Sequence, residues 1–357
     1  MNKNLNIVFV GLSITSSWGN GHATTYRALI RQLAARGHDV TFFECDVPWY
    51  SSNRDLPSPT FCRTLLYKDV EDLRINYERV IKNANFIILG SYVQKGVPTA
   101  NWLLKTANCP VGFYDIDTPV TLAKLANGDY EYIDNSVLPR FSVYLSFTGG
   151  KTLDILQNEL GSPKAIPFYC SVDIDKYFPQ QQEKCYDLGY LGTFSPDRQP
   201  ALKKLMLDAA DKWINGKFIV VGPQYPKNVK WPKNLTKIEH LEPSKHRSFY
   251  NSQRYTLNIT RIDMIKAGFS PSVRLFEAAA CGTPIISDYW QGIETFFKPD
   301  DEILISSSPQ QTLNYIQDIP EETRKQISIN ARKRVINEHT ASVRAKQLEQ
   351  IICSLLP

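Results

Sequence analysis

The sequence predicts an α/β protein of two doubly wound domains facing each other across a cleft, and three observations lead there. At 357 residues the chain is too long for one ordinary core and suits two domains of roughly 150 to 180 residues each. An apolar fraction of 43% with 11% aromatics supplies enough side chains for two packed cores. Short apolar runs alternate with amphipathic stretches along both halves, and strand, helix, strand order means parallel sheets joined by right-handed crossovers.

The first domain is read over residues 1–165. Asn6 to Val10 is a buried strand, and the polar, glycine-bearing loop from Gly11 to Gly21 leads into a helix from Ala23 to Arg36. Gly37 stops that helix, and Asp39 to Phe43 is the second strand. Val70, Leu73, Tyr77, Val80 and Ile81 recur at helical spacing, so Asp69 to Asn83 is a helix. Further strands are expected at Phe86 to Leu89, Val111 to Tyr114 and Val143 to Phe147.

Residues 166–185 read as a linker, because Pro167 and Pro179 bracket an irregular stretch. The second domain, 186–335, opens with the strand Asp187 to Leu191 and the helix Gln199 to Trp213. It continues through strand Lys217 to Val221, helix Pro243 to Gln253, strand Tyr255 to Ile259, helix Ser272 to Cys281 and strand Pro284 to Ser287. A short strand at Ile303 to Ile305 and further helices follow, the last from Ala341 to Leu355 within 336–357. In such sheets ligands bind at the carboxyl ends of the strands, where strand order reverses and helix N-termini point.

Composition excludes some functions. A net charge of +5 is well short of the footprint of a dedicated nucleic-acid binder, so no stable nucleic-acid binding is expected. The positive balance fits an enzyme of nucleotide diphosphates, peripheral contact with an anionic membrane surface, or ordinary solubility charge. Seven dispersed cysteines without a Cys-x-x-Cys pair argue for reduced thiols in the cytoplasm and against a zinc site. Ile7 to Val10 is too short for a signal peptide, and no run approaches the ~20 apolar residues of a membrane span.

The stretch Gly268 to Asp288 carries the most chemistry. Ser270 and Ser272 sit in a loop that opens onto a helix bearing Arg274 and Glu277, and a tight turn leads to a strand ending at Asp288. Backbone N–H groups at a helix start, with an arginine beside them, suit a diphosphate. A glutamate one turn on can accept hydrogen bonds from ribose hydroxyls. Charged groups on so apolar a helix need partners.

Gly19, Asn20 and Gly21 allow close backbone approach to a phosphate or sugar, or form a plain flexible turn. A dinucleotide fingerprint is a poor fit: the third glycine is missing, although Glu44 stands where an acidic ribose partner would be. Thr148 to Thr152 resembles a P-loop only in part, and reads as a glycine turn at the last strand of the first domain.

The motifs Ser270-Pro-Ser-Val-Arg-Leu-Phe-Glu-Ala-Ala-Ala-Cys-Gly-Thr-Pro284 and Asp288-Tyr-Trp-Gln-Gly-Ile-Glu294 resemble those of GT-B glycosyltransferases, in particular the CgeB/YkvP-like branch of the group 1 set. The linker Val172 to Pro179 and the loop Trp18 to His22 extend the resemblance over nearly the whole chain. The resemblance implies two Rossmann-like domains, an acceptor domain followed by a nucleotide-sugar donor domain, with the final helix packing back on the first. It implies no metal and no cofactor beyond the nucleotide-diphosphate sugar as co-substrate.

Carried over residue by residue, His22 becomes the base that deprotonates the acceptor, or else a helix-start histidine that packs or binds phosphate. Asp117 or Asp115 orients it, while the other caps the turn before Pro119. Gly19, Gly21, Thr193, Arg198, Arg261, Ser272, Arg274, Glu277, Asp288 and Gly292 line the donor site; Arg198 and Arg261 have solvated or locally paired alternatives. Many retaining members carry a Glu-x7-Glu pair, and Phe269 stands at the first position here, so retention does not carry over. The function implied is sugar transfer to a hydroxyl or similar nucleophile of unspecified acceptor. The alternatives are a non-catalytic sugar-nucleotide-binding protein of the same fold and a sugar-nucleotide epimerase.

Overall fold

The computed structural model describes residues 4–18 and 21–356. They form two compact units, Met1–Ser171 with Ala341–Pro357, and Val172–Thr340. The boundary at Ser171 falls inside the stretch read as a linker.

The first unit holds a seven-stranded parallel sheet of β1 (Asn6–Gly11), β2 (Asp39–Cys45), β3 (Arg63–Tyr67), β4 (Phe86–Gly90), β5 (Val111–Asp115), β6 (Val143–Ser146) and β7 (Ala165–Pro167). Its order is β3-β2-β1-β4-β5-β6-β7, so strand order reverses between β1 and β4. Side chains alternate between two buried faces. Val8, Val10 and Phe43 point to one core, and Ile7, Phe9 and Phe42 to the other. The helix Ala341–Leu355 closes the second core by inserting Ala345, Leu348, Ile351 and Ile352 beside Leu29, Ile30 and Leu33 of the helix Gly21–Ala35. Arg36 at the end of that helix bonds Glu349.

Two edge strands escape the sequence reading. β3 follows a Pro- and Ser-bearing segment and is only partly buried, so its apolar pattern is weak. β7 is three residues long and lies where a linker is expected; its presence means the turn at Thr148 follows the penultimate strand, not the last.

The second unit holds a six-stranded parallel sheet of β8 (Tyr186–Leu191), β9 (Phe218–Val221), β10 (Leu235–Ile238), β11 (Gln253–Asn258), β12 (Ile285–Ser287) and β13 (Leu304–Ile305). The order is β10-β9-β8-β11-β12-β13, and the reversal lies between β8 and β11. The β10 edge and the helix Ile262–Ala267 are absent from the sequence reading. β10 has no fully buried residue and that helix none either, so neither leaves a periodic apolar signature.

Candidate functional site

In the second unit the residues of interest gather at the carboxyl ends of β8 and β11. The helix Val273–Ala280 is anchored by six consecutive buried residues, Leu275 to Ala280, which fixes where its first turn lies. Ser272 precedes it in an extended conformation, and its hydroxyl makes no capping bond to the helix amides. Arg274 projects across the strand ends. Its Nε donates to the Leu191 carbonyl, and a terminal nitrogen lies 3.1 Å from Asn258 Oδ1 and 3.4 Å from Ser272 Oγ. The guanidinium sits 5.2 Å from the centre of the Tyr190 ring, a cation–π contact. One side chain thus bridges the pair of strands between which the order reverses.

Arg198 lies beside it. A terminal nitrogen donates to the Thr193 carbonyl at 2.7 Å, while its buried Nε has no hydrogen-bond partner. Burial lowers the pKa of this guanidinium; the Tyr190 phenol opposes the shift and the like charge of Arg274 adds to it. Two close guanidiniums with one unsatisfied N–H form a costly arrangement that an anion would relieve.

Glu277 is buried, and the Tyr250 hydroxyl donates to its Oε2 at 3.0 Å; Tyr177 supplies a second phenol hydrogen bond. Burial raises its pKa against the pull of both phenols and of Arg274. Asp288 is half-buried and accepts from the Thr260 amide at 3.0 Å and the Thr260 hydroxyl at 2.8 Å. Arg261 precedes the helix Ile262–Ala267, and the Ile262 amide donates to Asp197 at 2.9 Å, which ties its loop to that of Arg198. Gly292 has φ 90°, and a Cβ there would fall 2.4 Å from the Phe269 ring, so close packing accounts for this glycine. Phe269 itself adopts a positive φ of 45°. Trp290 is buried against Phe296.

In the first unit, His22 on the helix after β1 and Tyr92 just after β4 meet at the reversal point. Their rings pack edge to face with centroids 5.1 Å apart, and Tyr92 stacks on Tyr132 at 5.0 Å. The Tyr92 hydroxyl lies 3.5 Å from Asp117 Oδ2, so Tyr92 spans the two residues that the resemblance pairs. Tyr92 holds a left-handed φ of 63°, which is uncommon for a bulky residue. Burial lowers the His22 pKa to about 4, which leaves the imidazole neutral near pH 7.

The two aspartates differ in surroundings. Asp115 is fully buried and engaged by the Tyr144 hydroxyl at 2.5 Å, the Thr121 hydroxyl at 2.8 Å and the Asp117 amide at 3.2 Å. Burial raises its pKa. Asp117 is half-buried at the start of the helix Thr118–Ala126, and its side chain makes no capping bond there. Gly19 lies outside the described residues. Gly21 begins its helix in open space, where a Cβ would meet nothing within 4 Å, so packing does not require glycine there.

Glu44, the apparent acidic partner of a dinucleotide fingerprint, is committed elsewhere. Its carboxylate accepts from the amides of Ile14 and Thr15 at 2.7 and 2.9 Å and from the Thr15 hydroxyl at 2.6 Å. It shapes the loop after β1. The tyrosines at 92, 177, 190 and 250, and Asn258, were not singled out from sequence. All are distant in the chain from the charged groups they touch, so no local spacing marks them.

Residues 198–350 match a protein-family model described as glycosyl transferase-like. No curated protein matches the chain. Among solved structures it is similar to sucrose-phosphate synthase from Thermosynechococcus elongatus, at 15% identity over 99% of each chain, with a TM-score of 0.72. HepE from Anabaena, solved with UDP and glucose, aligns at 12% identity over 99% of this chain and 100% of its own, with a TM-score of 0.71. An alpha-glucosyltransferase solved with UDP-glucose and DNA containing an abasic site aligns at 14% identity over 98% of this chain and 100% of its own, with a TM-score of 0.72. The chain therefore has the GT-B fold of glycosyltransferases.

Proposed function

We propose that this chain is a glycosyltransferase of the CgeB/YkvP-like branch that moves a sugar from a nucleotide-diphosphate donor to an acceptor hydroxyl or similar nucleophile. The observation that carries the reading is the Arg198 and Arg274 pair, with its unsatisfied buried N–H at the ends of β8 and β11. A diphosphate seated there satisfies that donor and separates two like charges. It also places the helix-start amides of Val273 and Arg274 against phosphate oxygens. Glu277, oriented by Tyr177 and Tyr250, keeps lone pairs for the ribose hydroxyls, since two phenols use only part of its acceptor capacity. Thr193, Arg261, Asp288 and Gly292 border the sugar. Two guanidiniums supply the positive charge that the leaving diphosphate needs, so the proposal requires no metal ion.

The first unit presents the acceptor. The acceptor oxygen attacks the anomeric carbon, the bond from that carbon to the diphosphate oxygen breaks, and its electron pair leaves with the nucleotide. Neutral His22 takes the acceptor proton, and Tyr92, whose hydroxyl is held by Asp117, fixes the imidazole's orientation by ring contact. Asp115, saturated by protein partners, supports this arrangement from within the core. The reading places the reaction in the cytoplasm. Thermal-shift screening against UDP, dTDP and GDP tests it: one of them should raise the melting temperature in the unaltered chain and not in Arg274→Ala. If none of the three shifts the transition, the reading fails.

A further inference from the structure

Two indoles stand in water on the first unit for no reason of packing. Trp18 is 52% exposed and Trp49 is 62% exposed. Scattered surface aromatics are ordinary, but these two belong to one hydrogen-bonded frame. The Trp18 amide donates to Ser16 Oγ at 3.3 Å, Ser16 Oγ donates to the Asn53 carbonyl at 2.7 Å, and Asn53 Nδ2 donates to the Trp49 carbonyl at 2.9 Å. Behind them the same two loops are locked by charge. Asp55 pairs with the buried Arg27 through two bonds of 2.8 Å and accepts from the Ser17 amide and hydroxyl, also at 2.8 Å. Glu44 grips the loop from below. Fixed loops that hold large apolar rings in solvent are built to present them.

We infer that Trp18 and Trp49 form a stacking platform for a neutral glycan, which is the acceptor. This inference rests on the reading that the first unit presents the acceptor, and it names the substrate class. The platform follows β1 and β2 at the carboxyl edge of the sheet, and Trp18 lies four residues before His22. The apolar C–H face of a pyranose ring packs on an indole, while its hydroxyls need hydrogen-bonding neighbours. Exposed Ser51 and Ser52, whose hydroxyls donate to the Pro48 carbonyl, and half-buried Asn53, whose Nδ2 donates to the Trp49 carbonyl, offer acceptor oxygens for them.

The charges around the platform argue against a lipid surface. Arg54 is paired with Asp46 and bonded to Thr15, and Arg27 is paired with Asp55. An anionic bilayer is drawn by unpaired cations, and this rim offers none among the described residues of those loops.

The test uses the full chain and follows tryptophan fluorescence during titration with cellohexaose, maltohexaose and chitohexaose. At least one should quench saturably. Trp49→Ala and Trp18→Ala should each weaken that binding at least tenfold, Trp49→Phe should keep most of it, and UDP affinity should stay within twofold throughout. Binding of UDP, dTDP or GDP reports the donor reading separately, so glycan binding with none of the three would leave the platform standing and sink the donor reading, and with it the glycan's role as acceptor. The inference is overturned if no hexasaccharide quenches, or if Trp49→Ala binds as the unaltered chain does. It is also overturned if Trp49→Ala turns a dimer into a monomer by light scattering, or abolishes capture by phosphatidylcholine–phosphatidylglycerol vesicles.

Discussion

The two units share a topology and differ in what they place where strand order reverses. Between β8 and β11 the second unit sets two guanidiniums, Arg198 and Arg274, with Tyr190 packed against the latter and Asn258 beneath. Between β1 and β4 the first unit sets a neutral imidazole against a tyrosine, with a carboxylate beyond. In the function proposed here, the first of these reversal points binds an anion and the second moves a proton. The parallel sheet dictates where a ligand sits, and the few side chains at the strand ends dictate which ligand it is.

Several variants would break or sharpen that contrast. The largest effect is expected from His22→Ala, which should lower turnover by about 10²- to 10⁴-fold, the usual contribution of a positioned base, with donor affinity unchanged. Equal loss of donor binding would place His22 on the phosphate and erase the distinction between the two sites. Arg274→Ala should weaken binding of whichever of UDP, dTDP and GDP the chain takes by about 100-fold in calorimetric titration, in the range for losing one charge of a desolvated pair. Lysine at 274 should recover little, because the bridge from Leu191 to Asn258 needs a planar, forked donor.

Glu277→Ala leaves the Tyr250 and Tyr177 hydroxyls without their acceptor and should cost about 1–3 kcal/mol of stability, read as a lower denaturation midpoint of the second unit. Tyr250→Phe alone should cost less.

The smallest effect concerns pH. The folded pKa of His22, about 4, lies below its ordinary value of 6.5, so the folded state binds this proton less readily than the unfolded chain. The stability linked to His22 is fully present above pH 6.5 and is lost as pH falls toward 4. His22→Gln should therefore flatten the stability profile between those values. An unchanged slope in chemical denaturation would mean that the imidazole is not buried as described.

Much of the scaffold was legible because it follows from local rules. The run Asn6 to Val10, the cap at Gly37 and the apolar period of Asp69 to Asn83 each announce an element within a dozen residues, and the corresponding elements stand in the structure. The helix Ala341 to Leu355 was legible to its last residue. The edge strands β3, β7 and β10 were not, since an edge strand buries too little to need a pattern.

The charged half of the candidate site was equally visible. Arg274 and Glu277 interrupt an apolar helix, and such residues draw notice because burying them unaided is costly. Their partners stayed hidden. Tyr190 and Asn258 are ordinary strand residues until the sheet brings their ends together, and Tyr177 reaches Glu277 from a stretch that sequence assigns to a linker.

Sequence by itself determined the two-sheet architecture and the positions of the ionisable groups, because hydrophobic period and chain punctuation act over neighbouring residues. Only the tertiary structure decided what state those groups are in. Burial holds His22 neutral, three partners saturate Asp115 while Asp117 stays half-buried, and Arg198 is left with an unsatisfied donor. Desolvation and hydrogen bonding depend on atoms brought together from distant parts of the chain, and no stretch of sequence contains that information.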